Sequence, residues 1–135
     1  TVSGTVEQLA DVKAILAEGK GKVRDIPVGA AYHSPHMAAA VGPLGEALDA
    51  APFADATVPV VANVDAAPHT AAAEWPTLLR DQVTSPVRWR ESVLTMRDAG
   101  IEQVVELGAT AVLTAMIKRI DRGIDRIAIT TPEDL

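Results

Sequence analysis

Helix-type and strand-type segments alternate along this chain, and that order restricts its fold more than any other property. Thr5-x-x-Gln8 reads as a capping box for a helix with Val6, Leu9, Val12 and Leu16 at helical spacing and Gly19 near its end. Lys22–Gly29 predicts a strand through Val23, Ile26 and Val28. Ser34-Pro35 predicts a helix N-terminus, because serine caps well and proline is pre-organised for the first helical position. The stripe Met37, Val41, Leu44, Leu48 follows, and Gly42-Pro43 should kink or split it. Val58–Val64 predicts a β-branched strand, Ala66–Ala73 a loop, and Trp75-Pro76 a short helix ending near Val83. Ser85-Pro86 is a second helix start, with Trp89, Val93 and Met96 on one face and Gly100 as the cap. Ile101–Leu107 predicts a strand, Thr110–Ile120 a helix and Ile124–Thr130 a last strand. Together these segments predict an α/β protein with a largely parallel sheet.

Composition narrows the function classes. At 135 residues with 48% hydrophobic content the chain can bury one core. Aromatics are 3% and net charge is −6, so base-stacking platforms and phosphate-binding surfaces are not expected, nor is attraction to anionic membranes. No apolar run approaches the roughly 20 residues of a membrane span, no signal-peptide pattern opens the chain, and a cytoplasmic location is the default. Without cysteine, disulfides and a thiolate nucleophile are excluded. Thr1-Val2-Ser3 reads as the tail of a strand and Thr131-Pro132-Glu133-Asp134 as a helix start, so a piece of a longer protein is expected.

One histidine stands out as a candidate for chemistry. In Tyr32-His33-Ser34-Pro35-His36-Met37, His33 lies between the predicted strand and the predicted helix, where side chains of α/β folds reach clefts. A neutral imidazole in front of a helix N-terminus suits a general base. The plainer reading is a solvent-facing or structural histidine. A metal site is not expected, because no carboxylate completes a set with His33 and His36, and His69 falls in a predicted loop.

Four segments carry a resemblance to a known family. They are Gly29-Ala-Ala-Tyr-His-Ser-Pro-His-Met37, Val58-Pro-Val-Val-Ala-Asn-Val-Asp65, Gln82-Val-Thr-Ser-Pro-Val-Arg-Trp89, and Val105-Glu-Leu-Gly108 followed by Val112-Leu-Thr-Ala-Met-Ile-Lys-Arg-Ile120. In this order and spacing the chain resembles the C-terminal half of the malonyl-CoA:acyl-carrier-protein transacylase family, which includes acyltransferase domains of polyketide synthases. The resemblance implies the C-terminal part of an α/β-hydrolase-like acyltransferase domain. It assigns residues 1–30 to the end of an inserted ferredoxin-like subdomain and residues 31–135 to the large domain. It implies malonyl-CoA and acyl carrier protein as substrates, and no organic cofactor. His33 matches the family's catalytic histidine, and Gln82 the residue whose backbone carbonyl holds it. That carbonyl falls in the last turn of a predicted helix, where carbonyls lack intrahelical partners. Tyr32 stands where a bulky aromatic is associated with malonyl over methylmalonyl selectivity. Asn63, read from its place at the end of a buried strand, could reach the active-site mouth or serve equally as a turn-forming or strand-end residue.

No Gly-x-Ser-x-Gly elbow occurs in the sequence. The nucleophilic serine and the oxyanion loop are therefore expected from an N-terminal half, and the chain alone is expected to be inactive. Gly108-Ala109-Thr110 replaces the family's usual Gly-Pro-Gly, and Pro43 comes later in its helix than usual; both mark a divergent member. Two other readings remain open at this point: an acyltransferase fragment of a modular synthase and a non-catalytic docking module. Arg80, Arg88 and Arg90 could meet an acidic carrier protein, but Asp81 and Glu91 favour a solvated face.

Overall fold

Alternation is realised most fully near the end of the chain, where strands β3 (Gln103–Leu107) and β4 (Asp125–Ile129) flank helix α5 (Val112–Ile120). The computed structural model describes residues 1–134 and divides into two units. One unit comprises Thr1–Phe53 and Ala73–Pro86; the other comprises Ala54–Ala72 and the chain from Val87 on.

In the second unit β3 and β4 pair in parallel, from Gln103 opposite Asp125 to Leu107 opposite Ile129. A parallel pair needs a crossover between its strands, and α5 supplies it. Helix α4 (Trp89–Asp98) precedes β3. Val93 of α4 and Ile117 of α5 meet Ile124 in a core where none is more than 3% exposed; Trp89, Met96, Val104 and Ile120 pack around it. Each such side chain contributes about 1.5–3 kcal/mol by leaving water. The chain leaves α4 through Gly100, whose φ of +86° is the left-handed conformation that glycine adopts without a Cβ clash.

Three further expectations are corrected in this unit and in the segment that leads into α4. The Val58–Val64 strand shrinks to β1, Val60–Val61, and the expected loop after it contains β2, Pro68–His69. These pair antiparallel, Val60 opposite His69, so among the described residues the sheet elements are one parallel and one antiparallel pair. Pro59 and Pro68 lack the N–H that a longer ladder would need. The helix expected from Ser85-Pro86 begins at Trp89 instead. The Ser85 N–H is used to close the preceding helix, donating to the Gln82 carbonyl at 3.4 Å.

The first unit holds helices α1 (Val6–Glu18), α2 (Val41–Ala50) and α3 (Trp75–Gln82). The capping box is present: the Gln8 N–H donates to the Thr5 hydroxyl, and the Thr5 N–H donates to the Gln8 side chain. The predicted strand Lys22–Gly29 is not a strand. Val23, Ile26 and Val28 are 42%, 57% and 58% exposed. The Val28 N–H turns back to the Ile26 carbonyl at 2.8 Å, so Pro27 sits in a three-residue turn with no ladder partner. The predicted split at Gly42-Pro43 is present: a 3-10 turn, Pro35–Ala40, gives way at Val41 to α2, which carries Pro43 in its first turn. Helices α2 and α3 meet closely at Gly45, where an added Cβ would lie 2.8 Å from Arg80 Nε. Arg80 reaches over this glycine to the Asp49 carboxylate at 2.9 Å and the Gly45 carbonyl at 3.3 Å.

Candidate active site

His33 is held at the start of the 3-10 turn by its own neighbours. Ser34 does not cap the helix with its hydroxyl, as the sequence suggested. That buried hydroxyl donates to the Ala31 carbonyl at 2.6 Å and closes the turn in which His33 sits. His33 itself has φ +57°, a left-handed conformation that histidine enters more readily than most residues but at a cost of about 1–2 kcal/mol. Strain of this kind is a pointer toward function when the surroundings enforce it. No strand precedes the turn, so the strand-to-helix corner of the sequence reading is a loop-to-helix corner.

The enforcing partner is Gln82, at the end of α3. His33 Nδ1 lies 3.1 Å from the Gln82 carbonyl oxygen, across 49 positions of sequence. A ring nitrogen that donates there leaves Nε2 with its lone pair, the arrangement a general base needs. The carbonyl has room for this second donor beside Ser85, because each carbonyl oxygen has two lone pairs. The Gln82 side chain also turns toward the ring, with Nε2 at 3.3 Å from Nδ1 and 2.8 Å from the Ser85 carbonyl. His33 and Tyr32 are exposed, the latter at 54%.

Asn63 belongs to the second unit. It is exposed in the turn between β1 and β2, and its carbonyl accepts the Arg88 N–H at 2.9 Å. It lines an apolar groove of about 810 Å³ with Val60, Trp89, Met96 and Val104 among its walls. Of the arginines noted in the sequence, Arg80 is engaged as described, and Arg88 pairs with Glu91 and donates to the Asp65 carbonyl.

Two features escaped sequence reasoning. Asp65 accepts from the Ala67 N–H at 2.9 Å and from His69 Nε2 at 2.9 Å. Partial burial pushes its carboxyl up, but the Ala67 N–H and the His69 ring outweigh this and hold it below the usual range. The Glu106 carboxylate accepts the N–H groups of Val112, Leu113 and Thr114 at 3.0, 2.9 and 2.7 Å, capping α5 from outside the helix. The Thr114 N–H is the main cause of its lowered pKa. A short Asx spacing signals the first; the second depends on where β3 ends and has no local signature. Among the described residues no group of three or more His, Asp or Glu side chains could hold a metal ion.

The chain is 35% identical over 136 residues to a malonyl-CoA:acyl-carrier-protein transacylase of Bacillus subtilis, covering 99% of this chain and 43% of that protein. It is 40% identical over 120 residues to the Synechocystis transacylase, covering 87% of this chain and 40% of that one. The crystal structure of a Synechocystis malonyl-CoA:ACP transacylase superposes with TM-score 0.85 at 36% identity, over 98% of this chain and 44% of that chain. That of the Xanthomonas oryzae transacylase gives 0.88 at 34% identity, over 97% and 42%. No family model matches the chain. The fold is thus that of an acyltransferase domain of mixed α/β type. More narrowly, the chain corresponds to the C-terminal portion of the malonyl-CoA:acyl-carrier-protein transacylase family, and it spans about two-fifths of the length of these relatives.

Proposed function

We propose that the chain supplies the histidine half of a malonyl transferase. In this reading the complete protein moves malonyl from coenzyme A to a serine, then to the phosphopantetheine thiol of an acyl carrier protein. His33 Nε2 takes the proton of the serine hydroxyl, and later that of the carrier thiol. The Gln82 carbonyl holds Nδ1–H and stabilises the imidazolium without adding a full charge. The serine elbow and oxyanion donors come from the N-terminal half, residues 1–30 end a ferredoxin-like subdomain, and residues 31–135 belong to the large domain. Tyr32 and Asn63 face the substrate, and no cofactor takes part.

The observation that supports this reading is the 3.1 Å approach of His33 Nδ1 to the Gln82 carbonyl. The test joins this chain to an N-terminal half carrying a Gly-His-Ser-x-Gly elbow and follows malonyl loading of a carrier protein. His33→Ala should slow loading by about a hundred- to ten-thousand-fold, the range of general acid–base catalysis. An unchanged rate removes His33 from the mechanism. The 135-residue chain alone should load nothing, since a base without a nucleophile has no bond to form. Tyr32→Ser should lower the ratio of malonyl to methylmalonyl kcat/KM; a constant ratio assigns Tyr32 to packing alone.

A further inference from the structure

The same ring nitrogen of His33 faces two groups of opposite character, both from Gln82. The backbone carbonyl at 3.1 Å can only accept, and the side-chain Nε2 at 3.3 Å can only donate. A neutral imidazole satisfies one of them at a time. With its proton on Nδ1 it donates to the carbonyl and keeps Nε2 basic. With its proton on Nε2 it accepts the amide N–H at Nδ1 and has no lone pair left for a substrate proton.

The orientation of the amide is fixed by a third group. Gln82 Nε2 also donates to the Ser85 carbonyl at 2.8 Å, whereas Oε1 is buried with no partner among the described residues. Turning the amide over would set Oε1 against the Ser85 oxygen at that distance, lone pair to lone pair. The donor edge therefore faces His33, and the amide is held by its nitrogen alone.

We propose that the Gln82 side-chain amide is a positioning group that opposes its own backbone carbonyl and thereby sets the tautomer balance of His33. Its catalytic meaning rests on the reading of His33 as the base; the balance itself does not. Release of the amide N–H favours the Nδ1–H form and enlarges the basic fraction. A hydrogen bond of ordinary net strength moves such a balance by about two- to tenfold.

The experiment is long-range ¹H–¹⁵N correlation on ¹⁵N-histidine-labelled protein above the titration range, with the exposed His36 ring as internal reference. In the wild type His33 should differ from His36 in its tautomer ratio, drawn toward Nδ1–H by the shorter contact. Gln82→Met keeps the side chain's length and deletes the donor; it should shift His33 a further two- to tenfold toward Nδ1–H. Gln82→Glu offers an acceptor instead and should shift it in the same direction, with a raised titration midpoint. A folded variant with the wild-type His33 ratio overturns the proposal. A purely structural role for the amide would change stability and leave the ratio still. If the ratio shifts as expected while His33→Ala leaves malonyl loading unchanged, the functional reading falls and this one stands.

Discussion

The two units are built on different terms. The second has a closed aliphatic centre in which Val93, Ile117 and Ile124 are at most 3% exposed. The first has no such cluster: α1 and α3 bury no residue, and α2 buries Gly45 and Leu48. The first unit nevertheless carries His33 and Gln82. It holds them by directional polar contacts, namely the Ser34 hydroxyl on Ala31, the Gln82 carbonyl, and the Arg80 reach to Asp49. Placing a side chain to within a few tenths of an ångström depends on such directional contacts, whereas apolar burial is non-directional and supplies bulk stability.

The comparison is broken most directly by cavities. Ile117→Ala in the second unit should cost about 2–5 kcal/mol in urea unfolding. Val6→Ala in α1, where the side chain is 81% exposed, should stay within about 0.5 kcal/mol. Equal costs would mean that the two units share one source of stability.

Acid should act next most strongly, and mainly on the second unit. Asp65, Glu106 and Asp134 there all titrate below their ordinary range; backbone N–H donors are the main cause for Glu106, led by Thr114, and for Asp134, led by Thr130. A carboxyl with a depressed folded pKa contributes stability that is present above its unfolded pKa and is lost as pH falls through the folded one. Unfolding followed by tryptophan fluorescence from neutral pH into the carboxylate range should show that loss, and Glu106→Gln should flatten it. An unaltered pH slope in that variant would remove the α5 cap from the account.

Smaller effects separate backbone from packing. Gly100→Ala meets open space but a φ of +86°, so it should cost about 1–2 kcal/mol, read as a lower Tm. Gly42→Ala in the first turn of α2 also meets open space, without a positive φ, and should stabilise by about 0.5–1 kcal/mol. A loss at position 42 would contradict the open space around it, where an added Cβ has no heavy atom within 4 Å.

What could be read from the sequence follows the same division. Local period and punctuation located α4, with Trp89, Val93 and Met96 on one side and Gly100 at its end, and placed the end of α3 within one residue of its position at Gln82. The strand at Lys22–Gly29 failed because β propensity has no force without a neighbouring ladder, and Pro27 turns the chain instead. Pro59 and Pro68 likewise cut β1 and β2 to two residues each. His33 is marked by its place before Ser34-Pro35 and Gln82 by resemblance, but no pattern in either segment announces the left-handed turn that carries the histidine. The Glu106 cap joins a strand end to a helix start six residues on, and its existence depends on how the intervening loop closes.

Gly45 gives the first unit a lever of its own. The group that a side chain at this position would displace is the tip of Arg80, which is flexible and can swing away, so a methyl there would meet little resistance. The penalty would be one of alignment. Helix α2 runs on from the turn bearing the imidazole, and α3 ends on the carbonyl that steadies it, so displacing the Arg80 clasp that ties α3 to α2 would loosen one jaw of the vice. Such a protein would melt much like its parent yet grip the ring off-centre.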